Sequence, residues 1–278
     1  MVDAQLEYYA DLWKKAQGSS APDLITAMRS VNANMPRRWL FLPIDPGKVK
    51  VIAFAMLYHR TTAPMIFNAY LAGQKGDPSG LALMSMAYDF MMPGMMTWGE
   101  FFAIGGSADF QPGRDYRSEL TAPGTILGSP MSLLIWGSAG GWPITPMADQ
   151  YRQVQPTDVE TLLISGSIDF STPAQFATDE LLPSLHHGKQ VILAERGHVD
   201  DFWGFQPEAA QRLLTSFYDT GVADDSLYSY LPMDFKPAMS FPLLAKVMVG
   251  TGLILILAAG LLVWGIVRGI QRRRAVRT

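Results

Sequence analysis

The sequence predicts a mixed α/β chain, helical over its first third and closed by one C-terminal transmembrane helix. Two short apolar runs, 161–165 (TLLIS) and 190–194 (QVILA), are bounded by turn residues and separated by a helical stretch. That is the texture of buried parallel strands with a crossover helix. The first third shows no strict alternation and instead spaces its apolar residues as helices do. Residues 247–267 (VMVGTGLILILAAGLLVWGIV) carry no charge at all.

Taken in order, residues 1–30 begin with a helix that places Leu6, Tyr9, Leu12 and Trp13 on one face and ends near Gly18. A second short helix is expected around 24–31. Residues 48–70 read as helical with a break at Pro64, where a ring replaces the backbone N–H, and 81–88 reads as another helix. Residues 90–157 are rich in glycine and proline, and little regular structure is expected there. Strand 161–165, helix 174–185, strand 190–194 and helix 207–218 then give the alternation of an α/β unit. Pro232, Pro237 and Pro242 stiffen the next stretch into an expected tether. The resulting divisions are 1–125 (helical), 126–222 (α/β), 223–246 (proline-containing tether), 247–267 (transmembrane) and 268–278 (basic tail). No internal repeat is found.

Composition narrows the function. Apolar residues make up 49% of the 278 and charged residues 17%, below the usual share of about 25%, which excludes a highly charged disordered chain. With no cysteine, disulfides, thiol nucleophiles and thiolate metal sites are excluded. The net charge of −3 hides an asymmetry. Residues 246–278 hold six basic residues and no acid; taking those from the 22 leaves the body 16 basic residues against 25 acidic, a net charge of −9. An acidic body argues against a nucleic-acid partner.

The uncharged 21 residues, at about 1.5 Å each, span about 30 Å, the thickness of a bilayer's hydrocarbon core. Trp264 sits near one end and Arg268, Arg272, Arg273, Arg274 and Arg277 follow. Arginine-rich flanks stay cytoplasmic, so the expected topology is single-pass, with an extracytoplasmic body and a cytoplasmic tail. An exported body calls for a signal segment, and the opening MVDAQLEYYADLWKKAQ has no apolar stretch of that kind.

The chemistry lies in the turns after the two strands. The first runs into Ser165-Gly-Ser-Ile-Asp169-Phe-Ser-Thr-Pro173 and the second into Glu195-Arg-Gly197-His198. In open α/β sheets functional groups gather at the carboxyl ends of strands. An acid after one strand and a histidine after the next is the second half of a Ser–Asp–His triad, in the chain order of α/β-hydrolases. The acid fixes the imidazole tautomer at Nδ1 and leaves Nε2 to take a proton from serine. The bland readings are a turn aspartate for Asp169 and a solvated loop histidine for His198. His186 and His187 read as a helix end, and His59 beside Arg60 reads as a surface residue. The methionines at 84, 86, 91, 92, 95 and 96 read as adaptable packing. No metal-ligand spacing is present, and no cofactor is expected.

The run DVETLLISGSIDFSTPAQFATDELLPSLHHGKQVILAERGHVDDFW resembles the C-terminal segment of α/β-hydrolases of the tripeptidyl-aminopeptidase-like and proline-iminopeptidase-like group. In that group a GxxDxxTP turn carries the triad acid and a GH turn the triad histidine. The resemblance implies catalytic roles for Asp169 and His198, and a peptide, ester or amide substrate. It also implies that residues 48–88, with LYHRTTAP and AYLAGQKGD, belong to the helical lid, so that 1–125 is lid and 126–222 the C-terminal part of an α/β-hydrolase sheet. One element of the pattern is missing: no G-x-S-x-G nucleophile elbow occurs. The nearest strings surround Ser107 (GGSAD) and Ser138 (GSAGG), and both read as loop glycine and serine. The expectation is a chain that begins inside the lid, lacks the nucleophile half and is inactive alone. The alternatives are a non-catalytic membrane-anchored binding or assembly module, and one half of a split hydrolase.

Overall fold

A computed structural model of the chain describes residues 2–18, 20–121 and 123–275; Arg277 of the basic tail lies outside them. Five helices build the first layer: α1 (Val2–Gln17), α2 (Leu24–Ala33), α3 (Pro46–Met56), α4 (Ala63–Gln74) and α5 (Ser79–Met91), with a small hairpin of β1 (Arg38–Trp39) and β2 (Leu42–Pro43) between α2 and α3. Local chemistry sets their ends. Asp23 and Asp45 cap α2 and α3 by accepting the backbone N–H of Thr26 at 2.8 Å and of Lys48 at 3.0 Å. Pro64 opens α4 in its first turn instead of breaking a longer helix. The first turn of a helix has no use for the missing N–H, so the interruption falls earlier, at 57–62.

The stripe Leu6, Tyr9, Leu12 and Trp13 of α1 is buried, against α2–α5 in one continuous core. Ile168 and Phe170, from the turn after the first long strand, enter the same core. That places the turn directly under the helical layer.

Residues 90–157 differ from expectation. They form α6 (Trp98–Asp109), α7 (Tyr116–Leu120) and α8 (Pro130–Ala139). Glycine is a poor helix former, but here tertiary packing uses its missing side chain: a Cβ on Gly106 would lie 2.8 Å from Ile144. Phe102 stacks on Trp142 at 5.3 Å. Ile126, Leu127, Met131, Ile135 and Ala139 join the core of α1–α5, so the helical layer runs to residue 139 and passes the expected boundary at 125.

The α/β unit consists of β3 (Thr161–Gly166), β4 (Gly188–Leu193), α10 (Asp200–Phe205) and α11 (Pro207–Thr220), with a short α9 (Ala174–Phe176) in the crossover. The strands are parallel, Thr161 opposite Gly188 and Gly166 opposite Leu193, so both carboxyl ends meet at one edge. The strands expected to be buried are mostly half-buried, and Ile192 is 50% exposed. A two-stranded ladder with a small core of Leu193, Phe202, Ala210 and Leu213 cannot cover both faces. The single helix expected over 174–185 is instead α9 followed by a wide turn over 177–181 and a tight one over 182–184. Pro183 and the Thr178 hydroxyl, bonded to Gln190 Oε1 at 2.9 Å, draw the backbone off a regular helix.

The expected tether is a packed strap. Met233 and Phe235 are buried, and Phe235 meets Trp13 edge-on at 5.5 Å. The last helix, α12 (Phe241–Ala275), is longer than the uncharged run. It is long and apolar enough to cross a membrane, and its most apolar stretch is not buried against the body.

Candidate functional site

Asp169 and His198 meet at the carboxyl ends of β3 and β4. The turn after β3 folds back through Asp169 N–H to Gly166 O at 3.2 Å. The ladder continues beyond the strands as Ser167 N–H to Leu193 O and Ile168 N–H to Arg196 O, both 3.0 Å. This closeness demands two glycines. A Cβ on Gly166 would lie 2.6 Å from the carbonyl carbon of Arg196, and nearer still to the carbonyl oxygens of Arg196 and Gly197. A Cβ on Gly197 would lie 2.7 Å from Asp201 Oδ2 and closer to Tyr58 O. The glycines of the GxxD and GH turns are therefore packing requirements, independent of any positive φ.

Asp169 is buried, its side chain only 7% exposed, and its carboxylate accepts four hydrogen bonds. Oδ1 takes the N–H of Ser171 and of Thr172, each at 2.9 Å; Oδ2 takes the Thr172 hydroxyl at 2.9 Å and His198 Nδ1 at 3.0 Å. Four donors fix the direction of the buried carboxylate. The His198 side chain is 30% exposed, and among the described residues no group hydrogen-bonds its Nε2. The ring thus presents a tautomer set by Asp169 and a free second nitrogen.

Four further bonds hold the histidine turn in place. His198 N–H donates to Tyr58 O at 2.6 Å, Asp201 N–H donates to His198 O at 2.8 Å, and Asp201 Oδ2 accepts Gly197 N–H at 2.7 Å and Arg60 N–H at 3.1 Å. The α3–α4 turn of the helical layer therefore clamps the histidine turn. Arg60 extends the clamp, donating to Glu195 O at 3.1 Å, Leu231 O at 3.0 Å and Pro232 O at 2.6 Å. Glu195, at φ 52°, accepts from Met233 N–H and from the Tyr230 hydroxyl. Burial pushes the Tyr58 hydroxyl pKa up, with the Asp169 charge adding and a Ser171 hydrogen bond opposing. Burial, then the Arg60 charge, lower that of Arg196.

Sequence reasoning singled out Asp169 and His198 and missed Asp201, Arg60 and Glu195. Asp201 carried a readable signal: an acid in the first turn of a helix reaches back to an upstream N–H, as in a capping box. Arg60 and Tyr58 carried none, since their roles depend on where the α3–α4 turn lands. His59 is half-buried rather than on the surface, with Nδ1 3.8 Å from Asp201 Oδ1. Ser107 and Ser138, expected in loops, sit in α6 and α8 and donate to Ile104 O and Leu134 O at 2.8 and 3.0 Å. His186 lies apart, paired with Asp158 at 2.7 Å. Of the methionines, Met84 and Met92 are in the core while Met91 and Met95 are exposed. Among the described residues no group of three His, Asp or Glu side chains is placed to hold a metal ion.

Two cavities adjoin each other, and the smaller opens beside the acid's turn. One of about 340 Å³ is lined by Phe54, Leu120, Ser129, Phe170, Pro173 and Phe176. It shares Leu120, Thr125, Gly128 and Ser129 with a larger one of about 630 Å³ between α3, α7 and α8. Both fall in the size range of small-ligand sites. Comparison with family models, curated proteins and solved structures finds no match.

Proposed function

We propose that the chain is the lid and acid–base part of a membrane-anchored serine α/β-hydrolase, resembling the tripeptidyl-aminopeptidase-like and proline-iminopeptidase-like group. The observation that carries the reading is the 3.0 Å bond from His198 Nδ1 to a buried, four-fold hydrogen-bonded Asp169, with Nε2 unpartnered among the described residues. In this reading Nε2 takes the proton of an attacking serine and returns it to the leaving group of a peptide, ester or amide, while Asp169 stabilises the imidazolium. The serine and the oxyanion donors come from outside this sequence. Without them the pair has no nucleophile to activate and no stabilisation for the developing carbonyl charge, where one lost donor alone costs about 10²–10³ in rate. α12 anchors the body, and the arginine tail is placed on the cytoplasmic side.

The test is labelling by a fluorophosphonate. The chain alone stays unlabelled; a serine-bearing half supplied in cis or in trans restores labelling, and His198→Ala abolishes it. Strong labelling of the isolated chain, mapped to Ser107 or Ser138, overturns the reading. A second reading, a non-catalytic binding or assembly module, is favoured by the engagement of both those hydroxyls with helix carbonyls. Failure of every complementing half to restore labelling would select it. Protease digestion of oriented vesicles checks the orientation: a tail cut from the outside reverses it.

A further inference from the structure

We infer that the turn between α4 and α5, residues 74–78, lies in the headgroup layer of the bilayer that α12 enters, with Lys75 directed to lipid phosphate. The inference rests on the reading of α12 as a membrane span. The helix does not leave the body on a free linker. Phe241 and Ala245 are 6% and 2% exposed, inside the core, and α12 packs along α5 and α4. A Cβ on Gly80 would stand 3.0 Å from Pro242, so helix and body are in contact from the first turn. One turn on, Lys246 Nζ lies 2.6 Å from Asp77 Oδ2. Val247, the next residue, opens the uncharged run.

Lengths then place the turn. The hydrocarbon core is about 30 Å thick and the whole bilayer about 40–45 Å, which leaves roughly 5–7 Å of headgroup on each side. At about 1.5 Å per residue, three to five helical residues cross that layer. When 247–267 fills the hydrocarbon, residues 243–246 occupy the headgroups, and Lys246 stands at their inner boundary. Asp77, in contact with Lys246, is at the same depth. Gln74, Lys75 and Gly76 are exposed and within three residues of Asp77, and Gly76 makes the tight bend at φ 88°. Asp77 is occupied by Lys246 and by the Ser79 hydroxyl at 2.6 Å. Among the described residues that leaves Lys75 as the uncommitted charge of the turn, on a stem long enough to follow the interface. The membrane contact therefore belongs to the helical layer, and the orientation of the whole body over the bilayer is fixed by α4 and α5.

The chain has no cysteine, so single cysteines report cleanly. Full-length Lys75→Cys and Asp219→Cys proteins, each carrying an environment-sensitive fluorophore, are reconstituted into phosphatidylcholine–phosphatidylglycerol vesicles containing headgroup-quencher lipid. Asp219 is an exposed residue of α11 in the α/β unit. The expected result is a blue shift and loss of most of the emission at position 75, with neither at 219. Emission at 75 that is unquenched while the protein resists carbonate extraction overturns the inference and leaves the span standing. Equal quenching at both positions overturns it as well, since the body would then lie on the bilayer without a fixed face. Release of the protein by carbonate refutes the span itself, and the inference with it.

Discussion

Replacing Gly166 by alanine tests whether the site is made by the close approach of two turns. The residue's φ is not positive, so alanine meets no backbone penalty there. An unobstructed Gly→Ala change would stabilise by about 0.4–1 kcal/mol through the unfolded state. The new Cβ, however, would lie 2.6 Å from the Arg196 carbonyl carbon, whereas real Cβ contacts are essentially never under 3.0 Å. The carbon alone forces the turns apart by at least 0.4 Å, and the two nearer carbonyl oxygens force them further. Applied to the Asp169–His198 bond, 0.4 Å takes 3.0 Å to 3.4 Å, and the larger shift passes the limit of a hydrogen bond. Overpacking against backbone costs about 1–3 kcal/mol, and loss of a hydrogen bond to a charged group about 1.5–3 kcal/mol. The expected destabilisation is therefore about 3 kcal/mol or more. Urea denaturation of the detergent-solubilised chain measures it, and the His198 Nδ1–H resonance, lost or moved in the variant, reports the site directly. Gly204→Ala is the control, since no atom lies within 4 Å of its added Cβ. A Gly166→Ala protein as stable as the parent, with the His198 resonance unmoved, would refute the account of how the turns are held.

Three further outcomes follow from the same geometry. Asp201→Ala orphans the N–H groups of Gly197 and Arg60 and should cost about 2–4 kcal/mol, with Asp201→Asn recovering most of it; equal urea midpoints for the alanine variant and parent would argue against the clamp. Phe235→Ala should cost about 3–5 kcal/mol in the same assay, because the ring is 3% exposed beside Trp13 and Phe67; a free tether would show no loss. Asp224 is held down to about 2 by the Ser226 hydroxyl and N–H and then by Arg212. Since its folded pKa lies below the ordinary 3.8, the stability it contributes is present above pH 4 and disappears as pH falls toward 2. Asp224→Asn should flatten that part of the Tm–pH curve, and an unchanged acid limb would count against it.

Much of the helical layer was legible because its signals are local. The spacing of Leu6, Tyr9, Leu12 and Trp13 fixes the buried face of α1 whatever it packs against, and Asp23 and Asp45 cap the helices that follow them. The uncharged run at 247–267 was legible for the same reason, since length and absence of charge are properties of the chain. So was the pair of strands, each a short apolar run ended by a turn. Residues 90–157 misled because glycine and proline read as breakers one at a time. Pro130 at the start of α8 and Gly106 under Ile144 act instead through position and contact.

What composition and spacing settled about this protein is the buried face of α1, the uncharged C-terminal run, the strand pair and the two turns that carry Asp169 and His198. The 3.0 Å between those side chains was decided in three dimensions, by two glycines that let one turn lie on the other. So was the clamp of Tyr58, Arg60 and Asp201, and so was the conversion of a proline-rich tether into a strap with Phe235 in the core. The reason is physical: caps, periodicity and charge act within a few residues, whereas close packing depends on which surfaces meet, and Tyr58 is 140 residues from His198.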